Sequence, residues 1–164
     1  MTSNVNGLSR QALMLKILLT SVLTIILAAS CTSAPSESPD KLIMNFLQKH
    51  IPMLDQSVAN FYVKEEQSGV IDRVKKFIAS KKANGNFESL STATYDFSNI
   101  KVAVLDQMDD YVNDEEVTFM KVAATGSYTK AINGKSESLK EDEIIILESV
   151  AGKWKVTEKI NPWK

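Results

Sequence analysis

The chain has 164 residues, with 19 Lys and Arg against 20 Asp and Glu, a net charge of −1 and 44% hydrophobic side chains. That length suits one domain plus an appendage, and the apolar content excludes a chain that is disordered throughout. The charge excludes the basic footprint of a nucleic-acid binder.

Among the charged residues only Arg10 and Lys16 precede Cys31, leaving 17 basic against 20 acidic groups after it, a net of −3. Such a domain is repelled by anionic head groups, so residence at a membrane requires a covalent hold. Met14-Leu15-Lys16 opens an uncharged run from Ile17 to Ala29. At about 1.5 Å per residue that run spans only about 20 Å, short of a bilayer core of about 30 Å. No basic residue follows before Lys41, so the pattern is a secretory signal and not a stop-transfer segment.

The exit reads Leu27-Ala28-Ala29-Ser30-Cys31, and Cys31 is the one cysteine of the chain. It resembles the bacterial lipobox, whose cysteine is lipidated before cleavage. Where lipobox signals usually carry Leu three places before the cysteine, this chain has Ala28, with Leu27 one place further out. The alternative is ordinary cleavage after Ala29-Ser30 that leaves a free thiol. The lipobox resemblance implies residues 1–30 as signal peptide, lipidation at Cys31 and a domain outside the cytoplasm, anchored to the cell membrane or the outer membrane. Met14 would by itself begin a compact signal with Lys16 as its charged part. Residues 31–39 are rich in Ser and Pro and read as a solvated tether, leaving 40–164 as a single domain.

Ser38-Pro39-Asp40 is a helix start. Leu42, Ile43, Phe46, Leu47 and Ile51 then recur at helical spacing until Pro52 ends or kinks the helix. Leu54, Val58, Phe61 and Tyr62 continue that period, and Val70, Ile71, Val74, Phe77 and Ile78 define a further amphipathic helix closed by Asn84-Gly85-Asn86. From Tyr95 the period becomes that of strands. Ile100, Val102 and Val104 alternate with Lys101, Ala103 and Leu105, and Val117 to Ile132 alternates with a bend expected at Gly126. Asn133-Gly134 and Ala151-Gly152-Lys153 are turn signals on either side of Ile144–Leu147. In the last strand Trp154 and Val156 face one way, and Lys153, Lys155 and Thr157 are expected on the wet side.

Helices followed by sequential strands make an α+β domain, with N-terminal helices packed on a curved antiparallel sheet of about four strands. The order of elements and the terminal Gly152-Lys153-Trp154-Lys155-Val156 resemble the nuclear transport factor 2-like superfamily. That likeness implies a cone-like sheet closed by helices, which some members use as a pocket. A cystatin-like arrangement of helix on sheet is the competing architecture.

Catalytic chemistry has few nominees. His50, the one histidine, and the Tyr95-Asp96 pair are the only ones, and no catalytic residue is assigned. A helix C-terminus suffices to explain His50. Asp106, Asp109, Asp110, Asp114, Glu115 and Glu116 crowd together like calcium ligands, but a solvated connection between strands explains them too, and no metal or cofactor is implied. Phe61, Tyr62, Tyr95, Phe97, Tyr111, Phe119, Tyr128 and Trp154 read as core before cavity lining, and Trp163 as a cap on the sheet edge or an exposed residue. The expected role is a membrane-anchored, non-catalytic module that binds an envelope protein or a small apolar ligand. The alternative is a small pocket enzyme of isomerase, dehydratase or hydrolase type.

Overall fold

The structure is a computed structural model and describes residues 37–164. The signal peptide, Cys31 and nearly all of the tether lie outside the described residues. No helix among the described residues is long and apolar enough to cross a membrane.

Ser38 is the N-cap of helix α1 (Pro39–His50), with Pro39 in its first turn and Asp40 behind it. Leu42, Ile43, Phe46 and Leu47 form its buried stripe. Pro52 follows the C-cap Ile51, as the missing N–H requires. The next helical stretch is shorter and tighter than the apolar spacing predicts. It is a 3-10 helix, Gln56–Phe61, capped by Asp55, whose carboxylate accepts from the Ser57 amide at 2.9 Å. The Ser57 hydroxyl, then that amide contact and Lys49 Nζ, lower the Asp55 pKa to about 2. Leu54 lies before the helix. Tyr62 lies beyond it, extended in a parallel bridge to Val156, and Val63 donates to the Val156 carbonyl at 3.0 Å. The chain then turns into helix α2 (Lys64–Ala83) and a short helix α3 (Phe87–Ser91). Helix α3 has too few apolar residues to show a period in the sequence.

Four strands follow in order, each antiparallel to its neighbour: β1 (Thr94–Val112), β2 (Glu115–Ile132), β3 (Lys135–Val150) and β4 (Lys153–Thr157). The α+β expectation with four strands holds. Two-residue turns join all of them: Asn113-Asp114, Asn133-Gly134 and Ala151-Gly152, with both central residues at positive φ. Such turns match the right-handed twist of the strands they join.

The acidic segment is therefore not a loop. Asp106, Asp109 and Asp110 lie in β1, Glu115 and Glu116 in β2, and only Asp114 in the turn. The ladder has two register shifts, the first of them beside Gly126, where a bend was expected. Both are in β1, between Asp96 and Asn99 and between Val104 and Asp106. Gly126 sits opposite Ile100 at φ 131°, where a Cβ would overlap the Asn99 carbonyl oxygen.

Strand register sorts the side chains. Met120, Leu147 and Val156 share one face with Val122 and Ile145, and this face packs with Phe46, Leu47, Val58 and Tyr62 into the main core. The other face carries the row Asp106, Lys121, Ile146 and Thr157, with Phe119 beside it, buried to 0% exposure. The C-terminal segment after β4 crosses this second face. Trp163 Nε1 donates to Asp106 Oδ2 at 2.8 Å, and Lys121 Nζ stands 5.9 Å from a Trp163 ring centroid. Trp163 thus lies on the sheet beside its edge strand β1, where the row beneath it offers both an acceptor and a cation.

Thr157 departs from its expected wet position. It is 3% exposed, and its hydroxyl donates to Glu66 Oε1 at 2.9 Å. Alternation alone places it outward, but helix α2 brings a buried carboxylate over it.

Candidate functional site

Two depressions flank β4. The first, about 270 Å³, lies beside the β3–β4 turn and is lined by Leu42, Phe61 and Trp154, with Asn60, Lys153, Lys155 and Glu37 around them. Leu42 and Phe61 come from α1 and the 3-10 helix, and Trp154 from the core-facing side of β4. Lys155 is drawn round the strand edge, where its Nζ donates to the Asn60 carbonyl at 2.6 Å. The result is an apolar floor with two lysines at its rim. Glu37, the first described residue, is six positions after Cys31 in the sequence.

The second depression, about 250 Å³, opens where β4 ends and β3 continues without a partner on that side. Glu143–Ile146 form one wall and Glu158, Ile160, Asn161 and Lys164 the other, with Phe46 and Tyr62 at the back. Tyr62 is 1% exposed. Its hydroxyl lies 3.3 Å from His50 Nδ1, and the imidazole stacks on Phe46 with centroids 4.6 Å apart. Burial lowers the pKa of His50, against the upward pull of the Glu158 carboxylate. Burial and the Glu158 charge together push the Tyr62 hydroxyl above its ordinary range. The imidazole tautomer decides which of the two, the hydroxyl or Nδ1, is the donor. Burial, then the nearby Glu141 and Glu158 charges, raise the pKa of Glu143. Arg73 grips both oxygens of Glu158, at 2.9 and 2.8 Å.

The structure brings His50 to Tyr62 but leaves Tyr95-Asp96 apart from either depression. The Tyr95 ring lies 6.1 Å from Phe97 and 6.3 Å from Tyr128, centroid to centroid, while the Asp96 carboxylate accepts from the Ser98 amide at 2.9 Å and is held below its usual pKa. Among the described residues no three His, Cys, Asp or Glu side chains are placed to hold a metal ion. Of the aromatics, Tyr62, Phe97, Phe119 and Trp154 are buried, Phe61 lines the first groove, and Tyr111 is 70% exposed near the β1–β2 turn.

Glu66, Arg73, Glu143 and Glu158 were not singled out in the sequence. Glu143 had a signal, because strand alternation places it on the same face as Ile145 and Leu147. The other three had none, since their partners lie 85 to 93 residues away. Compared with family models, curated proteins and solved structures, the chain finds no match.

Proposed function

We propose that the protein is a lipoprotein of the bacterial envelope, anchored through Cys31, whose domain is a non-catalytic binding module. Its ligand is a small apolar molecule with an anionic end, or a side chain of that character on an envelope partner. The observation that carries this reading is the groove of Leu42, Phe61 and Trp154 rimmed by Lys153 and Lys155. At 270 Å³ it lies just under the range of about 300–1,000 Å³ usual for small-molecule sites, which suits a short chain and not a bulky ring system. The proposal includes the cone-like enclosure implied by the nuclear transport factor 2-like resemblance, with the helices closing one face of the sheet.

The pocket-enzyme reading draws on one observation, the His50–Tyr62 pair with Glu143 near by. Against it, Tyr62 is 1% exposed and His50 is not among the residues that line the cleft.

Titrating the domain, expressed from Ser33 onward, with decanoate tests the binding claim through the Trp154 indole resonance. A saturating shift is expected, weakened about tenfold when Lys153 and Lys155 are both changed to Glu. An unshifted indole removes the claim. For the anchor, Cys31→Ser in the full chain should release the protein or strand it as an uncleaved precursor. A variant still processed and still membrane-bound would refute lipidation.

A further inference from the structure

We propose that residues Ile160–Lys164 are a hinged strap that opens and closes the cleft in front of Tyr62. The two ends of this C-terminal segment are held very differently. At the root, buried Glu66 accepts from the Thr157 hydroxyl at 2.9 Å, the Glu158 amide at 3.0 Å and the Lys159 amide at 3.2 Å. Arg73 adds its two contacts to Glu158. At the far end the half-buried Trp163 is tied to the sheet by one exposed hydrogen bond, to Asp106, and by the Lys121 ammonium. Exposed contacts of this kind are weak, whereas a buried carboxylate with several donors is not. Detachment therefore begins at Trp163, and Lys159–Ile160 is the hinge.

The tip is built to move as one piece. Trp163 donates its amide to the Asn161 side chain and Lys164 donates to the Asn161 carbonyl, so a compact turn surrounds Pro162. These bonds stay intact when the tip leaves the sheet. Between hinge and tip, Ile160 and Asn161 form one wall of the cleft, and the facing wall, Glu143–Ile145, is β3 beyond the last residue paired to β4. No strand covers that stretch, so the strap controls access to it. A segment with a firm root and a weakly held tip opens locally, without unfolding the domain.

The test uses the full chain in detergent micelles, with Asp106→Ala, Trp163→Phe and the double variant. A soluble nitroxide should broaden the amide resonances of Ile144 and Ile145 about fivefold more in each single variant, the population change expected for one lost surface hydrogen bond. The double variant should go no further than either single one, and hydrogen exchange of the Glu158 and Lys159 amides should stay within twofold of the parent. Unchanged broadening would overturn the proposal, because the strap would then not gate the cleft. Acceleration of the Glu158 and Lys159 amides together with the core amides would also overturn it, since the tail would be leaving only by global unfolding.

Discussion

Glu66→Gln is the substitution that probes the fold most sharply. Glu66 is 6% exposed, and no ion pair among the described residues includes it. Its charge is met by donors: the Thr157 hydroxyl and the amides of Glu158 and Lys159. Hydrogen bonds to a charged acceptor contribute about 1.5–3 kcal/mol each, but their loss is not additive. Gln keeps one accepting oxygen and turns an NH₂ toward donors, so a loss of about 2–3 kcal/mol is expected, and Ala, which leaves donors unpaired, should cost about 3–5 kcal/mol. For a domain of this size each kcal/mol moves Tm by about 3–5 °C, so Gln should lower Tm by roughly 6–15 °C. Thr157→Val removes one bond and should cost about 1 kcal/mol. Urea unfolding followed by circular dichroism gives the free energies, and the cycle of the two substitutions gives their coupling. If Glu66→Gln costs less than about 0.5 kcal/mol, the carboxylate is not what ties α2 to the end of β4.

Three further outcomes follow from the same structure. His50 is the one histidine, so its titration reads cleanly by NMR, and its midpoint should lie below 6.5 because burial disfavours the cation. With the folded pKa below the unfolded one, its contribution to stability is present above pH 6.5 and lost as pH falls through the folded value; a midpoint at or above 6.5 contradicts the burial. Ala151 holds φ 49° in a two-residue turn, so Ala151→Asn should stabilise by about 0.5–1 kcal/mol in thermal unfolding. Gly126→Ala should destabilise by about 2–4 kcal/mol, since both its φ and the Asn99 carbonyl forbid a Cβ.

What the sequence discloses depends on whether the determining interaction is local. Ser38-Pro39 marks the start of α1, and Asn133-Gly134 marks a hairpin, because caps and tight turns are decided by a few adjacent residues. Asn113-Asp114 was concealed within a run of carboxylates that suggested a loop. Two residues suffice there because both tolerate positive φ. Gly126 announced a bend next to the first register shift of β1, whereas the second, between Val104 and Asp106, left no trace because the partner strand sets it. The candidate sites divide in the same way. Phe61, Trp154, Lys153 and Lys155 stood in view as residue types, but only folding brings the 3-10 helix to the edge of β4. His50 and Tyr62 were each named, and their 12-residue separation says nothing of a shared hydrogen bond.

Helix α2 draws these threads together. Of its 20 residues only Val70, Val74 and Glu66 are buried. The two valines contribute about 3–6 kcal/mol of burial, and Ile71 and Ile78 add partly buried area against the core. Apolar burial is non-directional, so it sets the position of the helix less sharply than hydrogen bonds do. Glu66 and Arg73 supply the missing specification through Thr157, Glu158 and Lys159, all within three residues of one another. Those residues are also the root of the strap, and Glu158 stands in the wall of the cleft. The root of that wall therefore cannot move without loosening α2, whereas the tip at Trp163 can. Stability and access are divided at Lys159–Ile160, so a change at Asp106 should alter the cleft and a change at Glu66 the whole domain.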